Sequence, residues 1–394
     1  MNPAAGPQVI SLGCRLIIAE SETIRGLLAN EQGVVVMNSC AVTSEALRQT
    51  RQAIRKARRA NPEARLLVTG CAADIERDRL AAMPEVDGLV ENTRKLDARA
   101  WNVPAPGKLA PARHTRAFVA VQNGCDHACT FCVIPQGRGP SRSLTIPGVL
   151  REVERHLEQG ASEVVLTGED VTSWGHDRPG GPCLGALVRA VLSAFPELAR
   201  LRMSSLDGVE IDGELFELFT GEPRVMPHIH LSLQHGHDLI LKRMKRRHLR
   251  ADALDLVARL KARRPEIAVG ADLIAGFPTE TDDMHAANLS LVREAGIVHG
   301  HVFPYSPRPN TPAARMPQLE KAVIRDRAAR LRAEVERVRG EWLRSLIGRP
   351  MSVLAERDGT GHAENFARVA VPGDVRPGTI LHVTPTQLEE GLLR

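Results

Sequence analysis

Three closely spaced cysteines constrain this chain of 394 residues more than any other feature. Cys125, Cys129 and Cys132 form a C-x₃-C-x₂-C triplet. Three thiolates leave one iron of a four-iron cluster without a protein ligand, and an open coordination position is typical of a catalytic metal site. Structural zinc needs a fourth ligand nearby, and His127, between two of the cysteines, is poorly placed to share their metal. The triplet therefore predicts an iron–sulfur cluster with one open iron.

Composition and cysteine number narrow the class of protein further. The chain has seven cysteines, an odd number, and it is long enough to build a core without disulfide crosslinks. Hydrophobic residues make up 43% and charged residues 25%, which is ordinary for a soluble globular protein. No apolar stretch approaches the ~20 residues of a membrane helix, and the first residues lack a signal-peptide pattern. We expect a cytoplasmic protein without a membrane partner.

The first 95 residues have the pattern of a small α/β domain. Short apolar runs rich in branched residues, at 9–12, 34–37 and 66–68, predict buried strands. A helical pattern covers 44–60, and helices between successive strands favour a parallel sheet.

A cysteine follows each of these three strands: Cys14, Cys40 and Cys71. Parallel strands place their carboxyl ends on one edge of the sheet, so the three thiols should converge there. Cysteine is also a common buried residue, which would explain one such position but is a weaker explanation for three. The pattern predicts a second three-thiolate cluster.

The rest of the chain divides into a linker, a core and a terminal module. Residues 96–115 are rich in proline and alanine, as linkers are. Six strand–helix units between 116 and 315 predict an incomplete (β/α) barrel, with a charged helix completing the core at 347. Short apolar alternations and glycine turns in 348–394 predict a small β module. The predicted fold class is α/β, with a three-cysteine parallel domain, a partial (β/α)₆ barrel and a short β module.

Two basic runs suggest a nucleic-acid partner, although such runs are often only a solvated surface. At helical spacing, the arginines of the first run share one face of the helix at 44–60. The second run, at 242–247, lies beside the barrel. The residues predicted to contact RNA are Arg51, Arg55, Arg59, Lys245 and Arg246.

Beyond the triplet, several motifs in fixed order carry a resemblance. They are 124–135 (GCDHACTFCVIP), 166–169 (LTGE), 231–236 (LSLQHG), 272–280 (DLIAGFPTE) and 303–312 (FPYSPRPNTP). Over nearly its whole length the chain resembles the radical S-adenosylmethionine (SAM) methylthiotransferases. That family combines a three-cysteine α/β domain, a radical core with the C-x₃-C-x₂-C triplet, and an RNA-binding β-barrel called TRAM.

The resemblance implies two [4Fe–4S] clusters and SAM as cofactors. The triplet would hold the cluster that binds and cleaves SAM, and Cys14, Cys40 and Cys71 would hold a second cluster that supplies or carries sulfur. The reaction would insert a methylthio group at an unactivated carbon of a tRNA nucleoside. An electron donor such as a flavodoxin or ferredoxin and a sulfur source are implied as further partners.

Within the family, residues 38–43 (NSCAVT) and the run after Tyr305 are most similar to the branch that acts on N6-threonylcarbamoyladenosine at position 37 of tRNA, giving its 2-methylthio derivative. The branch that modifies a ribosomal-protein aspartate lacks the basic residue that matches Arg308. Some positions depart from the family pattern. Cys14 is followed by Arg-Leu-Ile where relatives usually have lysine and a nearby asparagine, His235 replaces a usual serine, and Asn310 replaces a usual glycine.

The resemblance also suggests which residues contact SAM. Residues at strand ends would meet the methionine amino group and the ribose, and an arginine would pair with the carboxylate. A plain turn, ordinary turn serines and surface arginines are the competing interpretations. The candidates are Thr167, Gly168, Glu169, Ser204, Ser205, Arg202, Arg142, Gln234 and Asp272.

Three alternatives remain at this stage. The enzyme could methylthiolate isopentenyl-adenosine in tRNA, or an aspartate of a ribosomal protein, by the same chemistry. A protein of another class, a non-catalytic metal-binding RNA module, would also carry clustered cysteines beside basic runs.

Overall fold

The computed structural model describes residues 6–104 and 115–394. The first domain is a parallel sheet with strand order β1-β2-β3-β4. Its elements in chain order are β1 (Gln8–Leu12), α1 (Arg15–Leu27), β2 (Val34–Ser39), α2 (Ser44–Ala60), β3 (Arg65–Gly70), α3 (Cys71–Ile75), α4 (Arg77–Ala81) and β4 (Gly88–Leu89). The hydroxyl of Thr43 caps α2 by accepting a hydrogen bond from the amide of Ala46 at 3.1 Å.

The predicted linker begins later than the sequence indicated. Residues 98–101 form a short 3₁₀ turn, and Trp101 is buried against the first domain with its indole donating to the carbonyl of Lys95 at 2.8 Å. This segment therefore belongs to the first domain. Residues 105–114, the middle of the predicted linker, lie outside the described residues.

Six parallel strands form the barrel of the core. Sheets β5-β8-β9 and β10-β11-β12 are joined by parallel bridges, Leu201 to Val225 and Leu206 to Leu231. The strands are β5 (Ala117–Ala120), β8 (Glu163–Thr167), β9 (Arg200–Met203), β10 (His228–Gln234), β11 (Ala268–Ala275) and β12 (Ile297–Pro304), with a two-stranded ribbon of β6 (Gln122–Asn123) and β7 (Arg142–Ser143). The helices are α5 (Ile134–Arg138), α6 (Ile146–Glu158), α7 (Leu184–Ala194), α8 (Gly213–Gly221), α9 (Asp238–Arg243), α10 (Arg250–Arg263), α11 (Asp282–Ala295) and α12 (Lys321–Ser345).

The partial barrel is closed on one side by the first domain. Alternate residues of a strand face opposite ways, so Val164 and Leu166 pack outward with the helices while Val165 faces the lumen. Val165 and Phe118 pack against Ala19 of α1. Helix α1 therefore lies along the lumen side of β5 and β8, and the two domains share a core.

The C-terminal module is a six-stranded sheet with order β16-β13-β14-β15-β18-β17 and its own apolar cluster. Its strands are β13 (Met351–Ala355), β14 (Thr360–Ala363), β15 (Arg368–Ala370), β16 (Ile380–Val383), β17 (Leu388–Glu389) and β18 (Leu392–Leu393). The predicted three-part α/β architecture is confirmed. None of the helices in residues 6–104 and 115–394 has the length and apolar character needed to span a bilayer.

Candidate iron–sulfur site

The three cysteines of the first domain lie at one edge of its sheet. Cys14, Cys40 and Cys71 come directly after β1, β2 and β3, as the sequence predicted. Gly13 has φ +143, and a Cβ there would lie 2.7 Å from Cys40 Cβ. Glycine at this position therefore lets the first two cysteine loops approach closely. The amide of Val42 donates to Cys40 Sγ at 3.4 Å.

The second trio lies on one loop between β6 and α5. The amides of His127 and Ile134 donate to the sulfurs of Cys125 and Cys132, both at 3.4 Å. The Arg246 guanidinium donates to Cys129 Sγ at 3.6 Å. Each cysteine of this loop thus has an N–H group aimed at its sulfur, which favours a negatively charged sulfur and tunes an iron–sulfur cluster.

The two trios face each other across a short distance. Helix α3, which begins at Cys71, packs on α5, and a Cβ on Gly137 would lie 3.4 Å from Cys71 Cβ. Asn92 donates to the carbonyl of Gly137 at 2.5 Å. Cys14 Sγ is 3.8 Å from Glu169 Oε1, at the carboxyl end of β8. Both sets of thiols therefore border the same end of the barrel.

The spacing of the ligand atoms bears on which metal each trio could hold. Tetrahedral zinc holds its thiolates about 3.8 Å apart. Among the described residues, one group of ligand atoms within 4.8 Å of one another joins Cys125 to His127 and Asp170, and no such group contains a complete cysteine trio. An iron–sulfur cube, whose cysteines bind different irons, accommodates wider spacing.

Burial makes these thiols poor thiolates unless a metal is bound. Desolvation raises the pKa of Cys71 to about 11 and that of Cys132 to about 12. Burial, followed by the charge of Glu169, also raises the pKa of Cys14. A cationic metal centre reverses this preference, because it binds and stabilises the deprotonated sulfur. The donor set therefore fits two clusters.

A buried network of charges joins the two sites. Arg138 on α5 pairs with Glu20 of α1 and with Glu169, each at 2.7 Å. Lys95 pairs with the other oxygen of Glu20 at 2.5 Å. The side chains of Arg138, Glu20 and Lys95 are at most 1% exposed, so each charge depends on its partner. The network fixes the first domain against the loop of the second trio.

Most of the predicted SAM contacts lie at the carboxyl end of the barrel. Thr167 is buried, and a Cβ on Gly168 would lie 2.8 Å from the Gln122 carbonyl, so only glycine fits there. Ser204 is buried, and its hydroxyl has no hydrogen-bond partner among the described residues. Ser205 is half-buried beside it, and Gln234 ends β10 with φ +66. These positions surround the loop of the second trio.

Arg202 requires a correction. Its guanidinium lies at the opposite end of the barrel, where it pairs with Glu163 at 2.9 Å and donates to the carbonyls of Ala363 and Glu364. The alternation of β9 turns Arg202 into the lumen and toward the C-terminal module, away from the cysteines. Arg142 is exposed and donates to two nearby carbonyls. Neither guanidinium reaches a predicted SAM-contacting residue.

Asp272 lies between two histidines that sequence reasoning missed. His230 Nε2 and His301 Nδ1 lie 3.1 and 3.0 Å from Asp272 Oδ1. Burial alone would raise the pKa of Asp272, but these two hydrogen bonds hold it well below its ordinary value. The sequence did contain a sign of this cluster, because histidines alternate in β10 and in β12. Alternate residues of a strand face the same side, so these rings all lie on the lumen face.

The two predicted RNA surfaces differ. On α2, Arg55 and Arg59 are exposed, whereas Arg51 is paired with Glu76 at 2.7 Å. In the second run, Lys245 is exposed. Arg246 requires a correction, because it points inward, pairing with Asp207 at 2.8 Å and contacting Cys129. Arg246 therefore supports the cysteine loop, while Lys242, Lys245 and Arg247 are the exposed cations of this run.

The fold and the cysteine loop are those of a radical SAM enzyme. Residues 119–292 match the Radical SAM superfamily, and residues 7–91 match the family described as uncharacterized protein family UPF0004. The structure also resembles the radical SAM methyltransferase TsrM from Kitasatospora setae, with a TM-score of 0.54 and 15% identity, covering 76% of this chain and 68% of that one. At this identity the likeness concerns the fold.

Relatives define the family more closely. The chain is 42% identical to the threonylcarbamoyladenosine tRNA methylthiotransferase MtaB of Rickettsia prowazekii, over 98% of this chain and 96% of that protein. It is 33% identical to the tRNA-2-methylthio-N(6)-dimethylallyladenosine synthase of Acidothermus cellulolyticus, over 98% and 88%. The chain belongs to the radical SAM methylthiotransferase family, whose radical core uses a [4Fe–4S] cluster and SAM.

Proposed function

We propose that this protein methylthiolates C2 of N6-threonylcarbamoyladenosine at position 37 of tRNA. The main observation that supports this proposal is that both cysteine trios border the same end of the barrel. Glu169 lies between them, 3.8 Å from Cys14 Sγ and 2.7 Å from Arg138. One set of thiols is suited to SAM activation and the other to sulfur delivery. The 42% identity to the Rickettsia MtaB, over nearly both full lengths, supports this nucleoside as the substrate.

Cys125, Cys129 and Cys132 would hold the [4Fe–4S] cluster that binds SAM, and Cys14, Cys40 and Cys71 would hold the second cluster. Together with SAM, the first cluster supplies the radical needed at a carbon that has no acidic proton, and the second provides the sulfur position. A flavodoxin or ferredoxin would donate electrons, and a separate sulfur source would replenish the transferred atom.

The residues around the clusters position the reactants and exclude water. Gly168 allows the end of β8 to pack closely against Gln122, and the hydroxyl of Ser204, which has no partner among the described residues, would be available to the SAM ribose. Arg138 pairs with Glu20 of the first domain and with Glu169 of the barrel. These pairs fix the distance between the two cysteine trios during the reaction. Asp272, fixed by His230 and His301, presents a charged group toward the lumen.

The tRNA would approach from the side of α2. Arg55 and Arg59 are exposed on this helix, whose amino end lies just after Cys40. Lys245 adds an exposed cation beside the barrel. These cations suit phosphate contacts, which orient an RNA without reading its sequence. The adenosine would then be turned toward the cysteine sites.

Nucleoside mass spectrometry of tRNA from cells with and without the gene tests this proposal. We expect the 2-methylthio form of threonylcarbamoyladenosine to disappear without the gene and the unmethylthiolated form to accumulate. The native gene should restore the product, and a Cys129→Ala gene should not. Loss of the 2-methylthio dimethylallyl nucleoside instead would assign the alternative substrate, and unchanged tRNA would contradict both.

A further inference from the structure

Arg308 is a buried cation, and no carboxylate in residues 6–104 or 115–394 forms an ion pair with it. Its residue is 3% exposed, and Nε and Nη2 have no hydrogen-bond partner among the described residues. Burial lowers its pKa, which reflects the cost of holding a charge away from water. The buried arginines Arg138, Arg200, Arg202 and Arg327 each pair with a carboxylate. Arg308 therefore stands out as a guanidinium prepared for an external anion.

The surroundings of Arg308 form the rest of an anion receptor. Its Nη1 lies 3.5 Å from the hydroxyl of Ser44, which lies 2.7 Å from the hydroxyl of Ser306. Ser44 is the first residue of α2, a helix of 17 residues whose amino end carries a partial positive charge. Ser44 is exposed, so the receptor borders solvent on this side, while the guanidinium itself lies beneath it.

Two acids lie near this site, and both are paired with other arginines. Glu45, in the first turn of α2, contacts Arg48 at 2.6 Å. Glu76 influences Arg308 electrostatically, but its carboxylate contacts Arg51 at 2.7 Å and Arg79 at 3.6 Å. The Cys40 thiol is close enough to act on Arg308 as well. The receptor therefore lies near the cysteine trio of the first domain, since Ser44, which Arg308 contacts, follows Cys40 by four residues.

We propose that Arg308, with Ser44, Ser306 and the amino end of α2, binds the threonine carboxylate of the substrate nucleoside. This inference rests on the proposed function. In adenine, C2 and the N6 substituent lie on the same edge of the ring. When C2 is presented to the sulfur-carrying trio, the N6 substituent must lie beside that trio, where the receptor is. A guanidinium matches a carboxylate in charge and in bidentate geometry.

The receptor would also discriminate between substrates. A dimethylallyl group carries no anion, so it would leave the buried guanidinium uncompensated while displacing water from it. Loss of a hydrogen-bonded charge pair corresponds to a decrease of about 10- to 100-fold in kcat/KM. Arg308 is thus a specificity-determining residue that reads the chemistry of the N6 substituent.

The test uses reconstituted enzyme and three anticodon stem-loops of the same sequence. They carry threonylcarbamoyladenosine, the same group with its carboxylate replaced by a carboxamide, or unmodified adenosine. Native enzyme, Arg308→Gln and Arg308→Lys are compared by kcat/KM and by RNA affinity. Arg315→Gln is the matched control, since Arg315 is an exposed arginine on the same connection. Iron content and melting temperature show whether each variant is folded.

Native enzyme and Arg315→Gln should prefer the carboxylate RNA over the carboxamide RNA by about 10- to 100-fold. Arg308→Gln should lose this preference, and Arg308→Lys should keep part of it. If native enzyme uses the carboxylate RNA and the carboxamide RNA equally well, the inference is overturned while the proposed function stays intact. This comparison does not depend on whether any variant folds. Equal loss of affinity of Arg308→Gln for all three RNAs would assign the receptor to a phosphate and also overturn it. Failure of native enzyme to modify the carboxylate RNA would overturn both proposals.

Discussion

The two ends of the barrel differ in how their buried polar groups are paired. At the amino end, Glu163 lies among Arg116, Arg200 and Arg202, and the arginines also bind the C-terminal module. At the carboxyl end, the hydroxyl of Ser204 and two nitrogens of Arg308 have no partner in the described parts of the chain. Buried atoms without a hydrogen-bond partner occur at both ends, His228 Nε2 at the amino end among them, so the difference lies in the arginines. Those of the amino end pair with Glu163, whereas Arg308 has no carboxylate partner in the described parts of the chain, which suits the first group to stability and Arg308 to a ligand.

The largest effect should come from the carboxyl end, at the cysteine loop. Cys129→Ala should reduce deoxyadenosine formation from SAM to background, because the first cluster loses one of its three ligands. Iron content should fall from about eight per chain to about four. Iron analysis and chromatography of reaction products measure the two quantities.

Cys183→Ala is the matched control for that variant. Cys183 is a free, exposed cysteine that lies outside both trios. It should retain full iron content and product formation. Deoxyadenosine production by Cys129→Ala at the native rate would refute the assignment of the loop as the SAM-activating site.

The second prediction compares the buried arginines of the two ends. Arg138→Ala leaves Glu20 and Glu169 without a shared cation, and Arg202→Ala removes the closest cation from Glu163. Each should lower the free energy of unfolding by about 1.5–3 kcal/mol, because a buried carboxylate loses its charged hydrogen-bond partner. The loss is partial, since Glu20 keeps Lys95 and Glu163 keeps Arg116 and Arg200. Only Arg138→Ala should also lower the yield of sulfur-transfer product per deoxyadenosine, since it joins the two cysteine sites. If Arg138→Ala and Arg202→Ala give the same yield of sulfur-transfer product per deoxyadenosine, the Arg138 network has only a structural role.

Sequence reasoning predicted the places of the cysteines better than the surroundings of the arginines, for a physical reason. Cluster ligands require a fixed residue type at fixed spacing, so Cys14, Cys40 and Cys71 could be recognised from their places after strands. A basic residue carries no such restriction. Arg202 and Arg246 were assigned to SAM and RNA, but each has a buried acid as partner that is distant in sequence. Such pairings depend on the tertiary fold and leave no local pattern.

A third prediction separates neighbouring cations in the basic run. Arg246 contacts Cys129 Sγ and Asp207, whereas Lys245 is exposed. Residues that support metal ligands commonly contribute 10- to 100-fold to metal affinity or activity, so Arg246→Ala should lower activity by roughly that factor. Lys245→Ala should weaken tRNA binding only slightly, and more at low salt than at high salt. Measurements of iron content and of salt-dependent RNA binding distinguish the two variants. If Arg246→Ala weakened RNA binding and left iron content and activity unchanged, Arg246 would be an RNA contact after all.

The smallest effect concerns Phe366, which the C-terminal module inserts at the amino end. Its ring stacks on His228 with centroids 4.9 Å apart, and the guanidinium carbons of Arg116 and Arg202 lie 5.0 and 5.1 Å from its centre. Phe366 has φ +68, a conformation that is unfavourable for a bulky residue. Phe366→Ala and Phe366→Gly both remove the ring, but glycine also relieves the backbone. Phe366→Gly should therefore be the more stable of the two by about 1 kcal/mol in chemical unfolding, the reverse of their order in ordinary secondary structure. If alanine proves more stable, the backbone of this turn is free to relax, and its positive φ costs the folded protein little.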